Sequence, residues 1–304
     1  MKRVLLTGAT GFVGRQAVQP LLERGFEVHA LARTVPVEPG AEPVSWHEAD
    51  LLDPVATGAV IRELGATHLL HFAWYAKHGR FWHAPENLDW VAASLQLLRS
   101  FHASGGRRVV IAGTCAEYDW NGDCCDERTP LTPASLYGVS KNALRAILEE
   151  YARAAGLSAA WGRIFFTFGP GEQPTRVIAA VARALVRGET VPCSSGAQVR
   201  DFLYVEDVAS AFAALLDSAA TGPFDIGSGE AVALRTLLER LQRLAGREQL
   251  VRFGEAPHRN EPARIVADSR RLRDELGWSP KYILDEGLER TLAWWRSASS
   301  ATVG

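Results

Sequence analysis

The chain contains 304 residues, of which 33 are Lys or Arg, 35 are Asp or Glu and 47% are hydrophobic. This near-neutral charge provides no excess of positive charge for a nucleic-acid backbone, and no apolar run approaches the ~18 residues that span a bilayer. The four cysteines show neither CxxC spacing nor a Cys/His ligand pattern, which predicts reduced thiols in the cytoplasm and no metal site. Lys2 and Arg3 lead directly into the first strand-like segment, so we expect no removable leader.

Strand-like and helix-like segments alternate through the first half of the chain, which is the pattern of a parallel sheet with helices on both faces. The predicted strands span residues 3–7, 27–32, 44–46, 68–72, 108–112 and 159–165. The predicted helices span residues 11–24, 54–64, 85–103 and 136–155. Six strands with helical crossovers predict an α/β fold with a Rossmann-type, doubly wound parallel sheet.

Beyond about residue 166 the pattern changes to helices separated by short irregular or strand-like pieces. A helix is predicted over 205–218, a short strand over 224–226, and three further helical segments between 234 and 296. This change predicts a smaller, discontinuous second α/β lobe. The predicted division is a Rossmann domain of residues 1–165 plus about 203–227, and a second lobe of residues 166–202 and 228–304.

A glycine-rich turn separates the first predicted strand from the first predicted helix. Its glycines, Gly8, Gly11 and Gly14, allow a tight turn that brings the N-terminus of a helix against a pyrophosphate. Because the turn follows an apolar strand and precedes a helix, it is typical of a dinucleotide-binding site rather than of a simple turn. Further predicted cofactor contacts in this turn are Thr10, Phe12 and Val13.

The ends of the next predicted strands supply other candidate cofactor contacts. The second strand ends without the acidic residue that is usual in NAD sites, and Arg33 follows it. An arginine there can pair with a 2′-phosphate, which favours NADP; the alternative is a solvated arginine at the sheet edge. After the third strand, Asp50 can accept a hydrogen bond from the adenine amino group. The remaining candidates, at the ends of the third and fourth strands, are Leu51, Phe72, Ala73 and Trp74.

A tyrosine and a lysine lie four residues apart in the fourth predicted helix. Tyr137 and Lys141 therefore project from one face of that helix. A tyrosine with an ordinary pKa of about 10 carries protons poorly near neutrality. An ammonium within ~4 Å contributes about 4 kcal/mol at an effective dielectric of ~20, which is enough to lower that pKa by roughly three. Thr114 ends the fifth strand at the same edge of the sheet, where its hydroxyl can share the substrate oxygen.

Together these motifs resemble those of the extended short-chain dehydrogenase/reductase superfamily, the NAD(P)-dependent nucleotide-sugar epimerases, dehydratases and reductases. The matching segments are residues 7–14, 50, 114–118, 137–141, 162–170, 200–209 and 276–280. The resemblance implies that Thr114, Tyr137 and Lys141 form the catalytic triad and that the cofactor is a nicotinamide dinucleotide.

The same resemblance implies that the first lobe is the NADP-binding domain and that the second lobe is a substrate-binding lobe for a nucleotide-diphosphate sugar. Arg200 matches the arginine that grips the diphosphate, a suitable role for a charge-assisted contact. The alternative for Arg200 is an intramolecular pair with Asp201 or Asp207. Phe168 is expected to pass beside the nicotinamide. Weaker phosphate candidates are Arg176 and Arg259.

Departures from the superfamily's usual sequence narrow the expected chemistry. Similar 4,6-dehydratases place Asp-Glu directly after the catalytic Thr and similar decarboxylases carry a glutamate there, whereas this chain has Cys115 and Ala116. Glu117 is displaced by one residue and would point away from an extended segment, so dehydration and decarboxylation are disfavoured. Trp90 and Phe166 replace two usual asparagines. These changes predict a less polar substrate pocket, with Cys115 on its wall, that suits a deoxygenated sugar.

The segment between Trp74 and Trp90 is rich in aromatic residues and is predicted to form a loop over the active site. Its rings can stack on a sugar or base, or they can serve the loop's own packing. His78 and His83 in this loop lack a third ligand, so no metal is expected.

The motifs and departures together predict an NADPH-dependent reductase of the 4-keto group of a nucleotide-linked 4-keto-6-deoxyhexose, with dTDP as the favoured nucleotide. The alternatives are a nucleotide-sugar 4-epimerase with tightly bound NAD and a non-catalytic dinucleotide-binding regulator. The complete catalytic triad argues against the regulator, since a sensor needs no proton donor. Helices 85–103 and 136–155 correspond to the pair that forms a four-helix interface in similar enzymes, so we expect a homodimer.

Overall fold

The computed structural model describes residues 2–36, 43–120, 125–126, 128–257 and 262–300. The strands are β1 (Lys2–Thr7), β2 (Phe26–Ala32), β3 (Val44–Glu48), β4 (His68–His71), β5 (Arg108–Thr114), β6 (Ser158–Ile164), β7 (Phe166–Phe168), β8 (Val191–Cys193), β9 (Val199–Arg200), β10 (Phe202–Tyr204), β11 (Gly222–Ile226), β12 (Val232–Ala233), β13 (Val251–Phe253) and β14 (Arg264–Ile265). The helices are α1 (Val18–Glu23), α2 (Pro54–Leu64), α3 (Glu86–Ala103), α4 (Leu136–Ala155), α5 (Val177–Arg187), α6 (Val205–Leu216), α7 (Leu234–Ala245), α8 (Arg270–Leu276) and α9 (Leu284–Ser300). Across these described ranges, no helix has the length and apolar character that crossing a bilayer requires.

The central sheet contains seven strands in the order β3-β2-β1-β4-β5-β6-β11, and all neighbours are parallel. The strand order reverses beside β1, so the loops after β1 and β4 diverge and leave a crevice at the carboxyl edge of the sheet. This arrangement confirms the predicted Rossmann-type, doubly wound sheet. The predicted strand 224–226 lies within β11, which joins the sheet beside β6.

Helices cover both faces of the sheet because alternate residues of each strand point in opposite directions. On β1, Val4 and Leu6 pack in the apolar cluster that includes α1 and α6, whereas Leu5 packs in the cluster that includes α2, α3 and α4. Every residue of β5 is buried, as expected for a central parallel strand. The helices leave the carboxyl edge of the sheet accessible to a ligand.

The second lobe packs α5, α7 and α9 around an apolar cluster of its own, to which Ile178, Leu238 and Leu292 contribute. The strand pairs β7–β10 and β8–β13 and the three-stranded sheet β12-β9-β14 accompany these helices. Helix α8 lies within residues 228–304, which the sequence assigned to the second lobe, but it packs on β11 and α6 of the first lobe. Its residue Leu272 and the following Trp278 accordingly lie in the apolar cluster of the first lobe.

The first helix is shorter than predicted, whereas α2 and α4 have the predicted limits. Residues Gly14–Ala17 form a 3₁₀ turn, and the α-helix begins only at Val18. Pro20 has no backbone N–H to bond with the carbonyl four residues earlier. The α-helical pattern therefore does not extend back through this turn to residue 11, where the sequence predicted the helix to begin.

Candidate active site

A cavity of about 1340 Å³ opens at the carboxyl edge of the central sheet and extends to β9 and α5 of the second lobe. The predicted site residues that line it are Gly8, Thr10, Gly11, Phe12, Val13, Gly14, Arg33, Asp50, Leu51, Phe72, Ala73, Trp74, Trp90, Thr114, Cys115, Tyr137, Lys141, Phe166, Arg176 and Arg200. The fold therefore brings candidate cofactor and substrate residues from both halves of the chain to one cavity.

The glycine turn has the shape of a cradle for an anionic group. Gly8 has a φ of 75°, and a Cβ atom there would lie 2.7 Å from the backbone nitrogen of Ala73. A Cβ atom on Gly14 would lie 2.1 Å from the carbonyl oxygen of Gly8. Side chains at either position would fill or distort the turn, which precedes the N-terminal end of a helix. The turn therefore fits the pyrophosphate of a nicotinamide dinucleotide.

Arg33 and Asp50 lie at one end of the cavity, because the neighbouring strands β2 and β3 end there. Arg33 is exposed directly after β2. The Oδ1 atom of Asp50 accepts a hydrogen bond from the backbone nitrogen of Leu52 at 3.0 Å, which orients the carboxylate. The glycine turn is also joined to the second lobe, through a contact that the sequence did not reveal. Arg15 donates hydrogen bonds to the carbonyl oxygens of Gly11 and Gly171, at 3.2 Å each.

Tyr137 and Lys141 lie in the first two turns of α4. Ser135 caps this helix by accepting a hydrogen bond from the backbone nitrogen of Gly138 at 3.1 Å. The Lys141 ammonium donates to the carbonyl oxygen of Ala112 on β5 at 2.8 Å. Thr114, at the end of β5, is hydrogen-bonded to the Tyr137 side chain. The three residues of the predicted triad therefore converge at the end of β5.

The charge state of this group differs from the sequence-based expectation. Burial raises the pKa of Tyr137 above its ordinary value, partly opposed by the hydrogen bond with Thr114. Burial also lowers the pKa of Lys141 to about 7, partly opposed by the carboxylate of Glu117. The pKa of Tyr137 therefore lies above its ordinary value in this structure, whereas the sequence predicted a value below it, because loss of hydration at the phenol is the largest effect.

Glu117 is fully buried and belongs to the framework behind the active site. Its carboxylate accepts hydrogen bonds from the Thr114 backbone nitrogen at 2.9 Å, from Trp161 Nε1 at 2.9 Å and from Arg163 Nε at 2.8 Å. Arg163 also donates to the Tyr118 hydroxyl at 3.0 Å. With its oxygens engaged in this way, Glu117 is not placed to act as the acid that residues 115 and 116 lack. The reason differs from the one that the sequence suggested, because this segment is a 3₁₀ turn rather than extended chain.

Arg200 lies on the wall of the cavity and is buried. Its Nη1 atom donates to the carbonyl oxygens of Val199 and Pro262, both at 2.9 Å, and its guanidinium lies 5.2 Å from the ring centre of Phe166. The carboxylate of Asp201 instead accepts hydrogen bonds from the 228–229 backbone and from Ala267. The carboxylate of Asp207 accepts hydrogen bonds from the backbone nitrogens of residues 281 and 282. Among the described contacts, neither Asp201 nor Asp207 pairs with Arg200.

Three other predicted substrate and cofactor residues have separate outcomes. Arg176 lines the cavity and forms an ion pair with Glu172 at 2.7 Å. Phe168 does not line the described cavity: it is 1% exposed and packs against Tyr204 in the core of the second lobe. The side chain of Phe168 therefore lies away from the predicted contact with the nicotinamide, because it packs among the apolar side chains around α5, α7 and α9, whereas Phe166 also lines the cavity. Arg259 lies outside the described residues.

The aromatic loop between Trp74 and Trp90 packs directly on Tyr137. The ring centres of Phe81 and Trp82 lie 4.9 Å and 5.9 Å from that of Tyr137. Trp82 also lies 6.1 Å from Trp120, and both indoles line the cavity. The sequence placed Trp82 in the loop predicted over the active site, either to stack on a ligand or to pack the loop, and it did not single out Trp120.

His71, at the end of β4, is held as a neutral side chain. Its Nδ1 and Nε2 atoms form hydrogen bonds with Thr7 at 2.6 Å and Ser94 at 2.9 Å. Burial lowers its pKa to about 3, so it does not take up a proton near neutrality. Over the parts of the chain that are described, no group of three or more His, Cys, Asp or Glu side chains could hold a metal ion.

The sheet order, the glycine turn and the Thr-Tyr-Lys group define a Rossmann-fold enzyme of the nicotinamide-dependent class. More specifically, the chain belongs to the NAD dependent epimerase/dehydratase family, whose family model matches residues 4–227.

Relatives within this family include both epimerases and reductases. The chain is 28% identical to a UDP-glucose 4-epimerase of Corynebacterium glutamicum, covering 92% of this chain and 91% of the relative. It is also 28% identical to a GDP-6-deoxy-D-mannose reductase of Pseudomonas aeruginosa, covering 97% and 98% of the two chains. The structure of a Thermus thermophilus UDP-glucose 4-epimerase in complex with NAD superposes on this chain with a TM-score of 0.84 at 30% identity. The superposition covers 97% of this chain and 99% of the Thermus chain.

The glycine turn can be tested by filling it. We expect Gly14→Ala to weaken the binding of a nicotinamide dinucleotide roughly tenfold to hundredfold, because a displaced turn loses at least one hydrogen bond to a charged phosphate, worth about 1.5–3 kcal/mol. Fluorescence titration measures this change. The matched control is Gly58→Ala inside α2, where the added Cβ would lie 3.4 Å from the nearest side-chain atom, an ordinary van der Waals distance. Equal affinities of the two folded variants would contradict the assignment of the turn.

Proposed function

We propose that the protein is an NADPH-dependent reductase of the 4-keto group of a nucleotide-linked 4-keto-6-deoxyhexose. One observation carries this proposal: among the described residues of the cavity wall, Asp50 is the only carboxylate, and it lies at the far end, after β3. Elimination of water needs an acid and a base beside the reacting carbons in addition to the tyrosine. Reduction of a ketone needs one proton donor, which Tyr137 supplies.

In this proposal the triad residues divide the work of proton transfer. The glycine turn would hold a nicotinamide dinucleotide, which when bound would supply a hydride for the carbonyl carbon. Tyr137 donates its hydroxyl proton to the developing alkoxide, which yields the alcohol. The raised pKa of Tyr137 keeps that proton in place until the alkoxide forms. Thr114 hydrogen-bonds the same oxygen, and Lys141 as an ammonium stabilises the resulting tyrosinate.

The cavity wall supports a deoxygenated sugar that carries a diphosphate. Arg200 and Arg176 line the part of the cavity formed by the second lobe, and a guanidinium suits a diphosphate through charge-assisted hydrogen bonds. Near Thr114 the wall is formed by Cys115, Ala116 and Phe166, of which none offers a carboxylate or amide group to a sugar hydroxyl. We propose a dTDP-linked sugar as the first substrate to examine.

A nucleotide-sugar 4-epimerase is the second candidate. The Corynebacterium and Thermus relatives carry that name, and the same triad serves a reaction that oxidises and then reduces the sugar with NAD retained. Arg33 supports the reductase, because an arginine rather than an acid follows β2 and suits the 2′-phosphate of NADPH.

The state of the cysteines supports a reducing compartment. Cys115 and Cys193 are buried free thiols, and such thiols persist where glutathione and thioredoxin keep proteins reduced. We therefore propose that the protein acts in the cytoplasm.

The proposed reaction is tested by offering NADPH together with dTDP-, GDP-, CDP- or UDP-linked 4-keto-6-deoxy sugars. We expect loss of NADPH absorbance with one of them, and a turnover roughly 100-fold or more lower in Tyr137→Phe, which has no proton to donate. Purified protein that carries bound NAD and interconverts 4-hydroxy sugars without consuming NADPH would instead identify the epimerase. Full turnover by Tyr137→Phe would contradict the assigned proton donor.

The cofactor preference is tested at Arg33. We expect Arg33→Asp to weaken NADPH binding roughly tenfold to hundredfold, because a charge-assisted hydrogen bond is lost and a like charge faces the 2′-phosphate. NADH has no such phosphate, so its affinity stays within about threefold. The control is Arg247→Asp, which makes the same charge change at an exposed position away from the cavity. Equal losses for NADPH and NADH in Arg33→Asp would exclude this role.

We also propose that α3 and α4 form the four-helix interface of a homodimer. These helices pack against each other and expose Leu88, Val139 and Ile147 at 59%, 47% and 45%. Sedimentation velocity is expected to show a dimer that Ile147→Glu converts to monomer, since the charge would be buried between subunits. Val55→Glu, on α2 at 79% exposure, should remain dimeric. A monomeric parent protein would contradict the proposal.

A further inference from the structure

The indole ring of Trp74 lies over the ammonium group of Lys141. The distance from Lys141 Nζ to the ring centre is 3.8 Å. Lys141 is 3% exposed, and its ammonium also donates to the carbonyl oxygen of Ala112 at 2.8 Å. Because little water reaches this group, the carbonyl and the electron-rich face of the indole provide much of the local stabilisation of its charge.

A buried amide fixes the orientation of that indole. Asn87 is fully buried, and its Oδ1 atom accepts a hydrogen bond from Trp74 Nε1 at 2.9 Å. Its Nδ2 atom donates to the carbonyl oxygens of Phe81 at 2.7 Å and Ala84 at 2.9 Å. An indole N–H can only donate and a carbonyl can only accept, so the three partners define which atom of the amide is oxygen. One side chain therefore sets both the indole and the path of residues 81–84.

The segment fixed by Asn87 also contacts the proton donor. The Phe81 and Trp82 rings pack edge-to-face on Tyr137. The carbonyl oxygen of Trp82 accepts a hydrogen bond from the Tyr137 backbone nitrogen at 3.0 Å. The network around Asn87 thus reaches both titratable members of the triad.

We propose that Trp74 is a positioning residue that holds the Lys141 ammonium in its charged form, and that Asn87 anchors Trp74 and residues 81–84 against the Tyr137–Lys141 pair. The consequence for turnover rests on the proposed function, whereas the arrangement itself involves only groups of this chain. The ring attracts the ammonium but not the neutral amine, so it favours the protonated lysine.

The other groups that face Lys141 determine the direction in which its pKa is expected to change when the Trp74 ring is removed. In the described surroundings they are Tyr137 one turn earlier on α4, Glu117 after β5 and His71 at the end of β4. Glu117 raises the pKa of Lys141 and burial lowers it, which leaves it at about 7. His71 and Tyr137 stay uncharged near neutrality. Removal of the Trp74 ring takes away an attraction to the charged form alone, so the pKa of Lys141 falls further.

The pKa of Lys141 can be measured directly, because the chain has only four lysines, Lys2, Lys77, Lys141 and Lys281. Labelling with ¹³C at Cε gives four signals to titrate in the cofactor-free protein, and Lys141→Arg identifies the relevant one. We expect Trp74→Leu to lower this pKa by roughly 0.5 to 1.5, and Trp74→Phe, which keeps a weaker ring face, to lower it less. The control Trp294→Leu removes a half-buried indole from α9 and should leave it unchanged.

Turnover provides a second readout. Protonated Lys141 is the form that stabilises the tyrosinate, so the alkaline limb of the pH profile of kcat should move to lower pH in Trp74→Leu by the same amount. An unchanged Lys141 pKa in folded Trp74→Leu would overturn the proposal, as would an equal shift in Trp294→Leu. If Trp74→Leu does not fold, an unchanged pKa in Trp74→Phe overturns it. The titration uses neither substrate nor cofactor, so its result is independent of whether the proposed reaction is correct.

Discussion

The buried carboxylate of Glu117 is the interaction on which the geometry of the site depends. It receives hydrogen bonds from the end of β5 and from Trp161 and Arg163 on β6. Arg163 in turn contacts Tyr118, whose hydroxyl donates to Asp225 on β11 at 2.9 Å. The ends of three neighbouring strands are thus joined by one network. Loss of one partner from a buried ion pair costs about 3–5 kcal/mol, so the network strongly constrains where Thr114 lies.

The position of Thr114 then determines the arrangement of the chemical groups. Its backbone is held by Glu117 on one side, and its hydroxyl contacts Tyr137 on the other. Burial raises the pKa of Tyr137 and lowers that of Lys141 to about 7. Both shifts arise because charged forms lose hydration in this part of the cavity. The site therefore favours a neutral tyrosine that retains its proton until a negative oxygen develops beside it.

Local patterns were sufficient to predict much of this architecture. The alternation of strands and helices predicted the parallel sheet, and the capping residues Asp53 and Ser135 agree with the observed starts of α2 and α4. The spacing of Tyr137 and Lys141 placed them on one helix face. The structure differs from the sequence-based expectation in two places: Pro20 shortened the first helix, and tertiary packing placed the Phe168 side chain in the core of the second lobe.

The sequence by itself determined the fold class, the glycine turn and the residue types of the triad, because these depend on spacing along one element or across one turn. Only the tertiary structure decided that Glu117 lies in the framework, that Phe81 and Trp82 cover Tyr137, and that Trp74 faces Lys141. These contacts join residues from different elements, and their pKa effects depend on how completely water is excluded. Burial and long-range contact are properties of the packed molecule, so no local spacing in the chain could specify them.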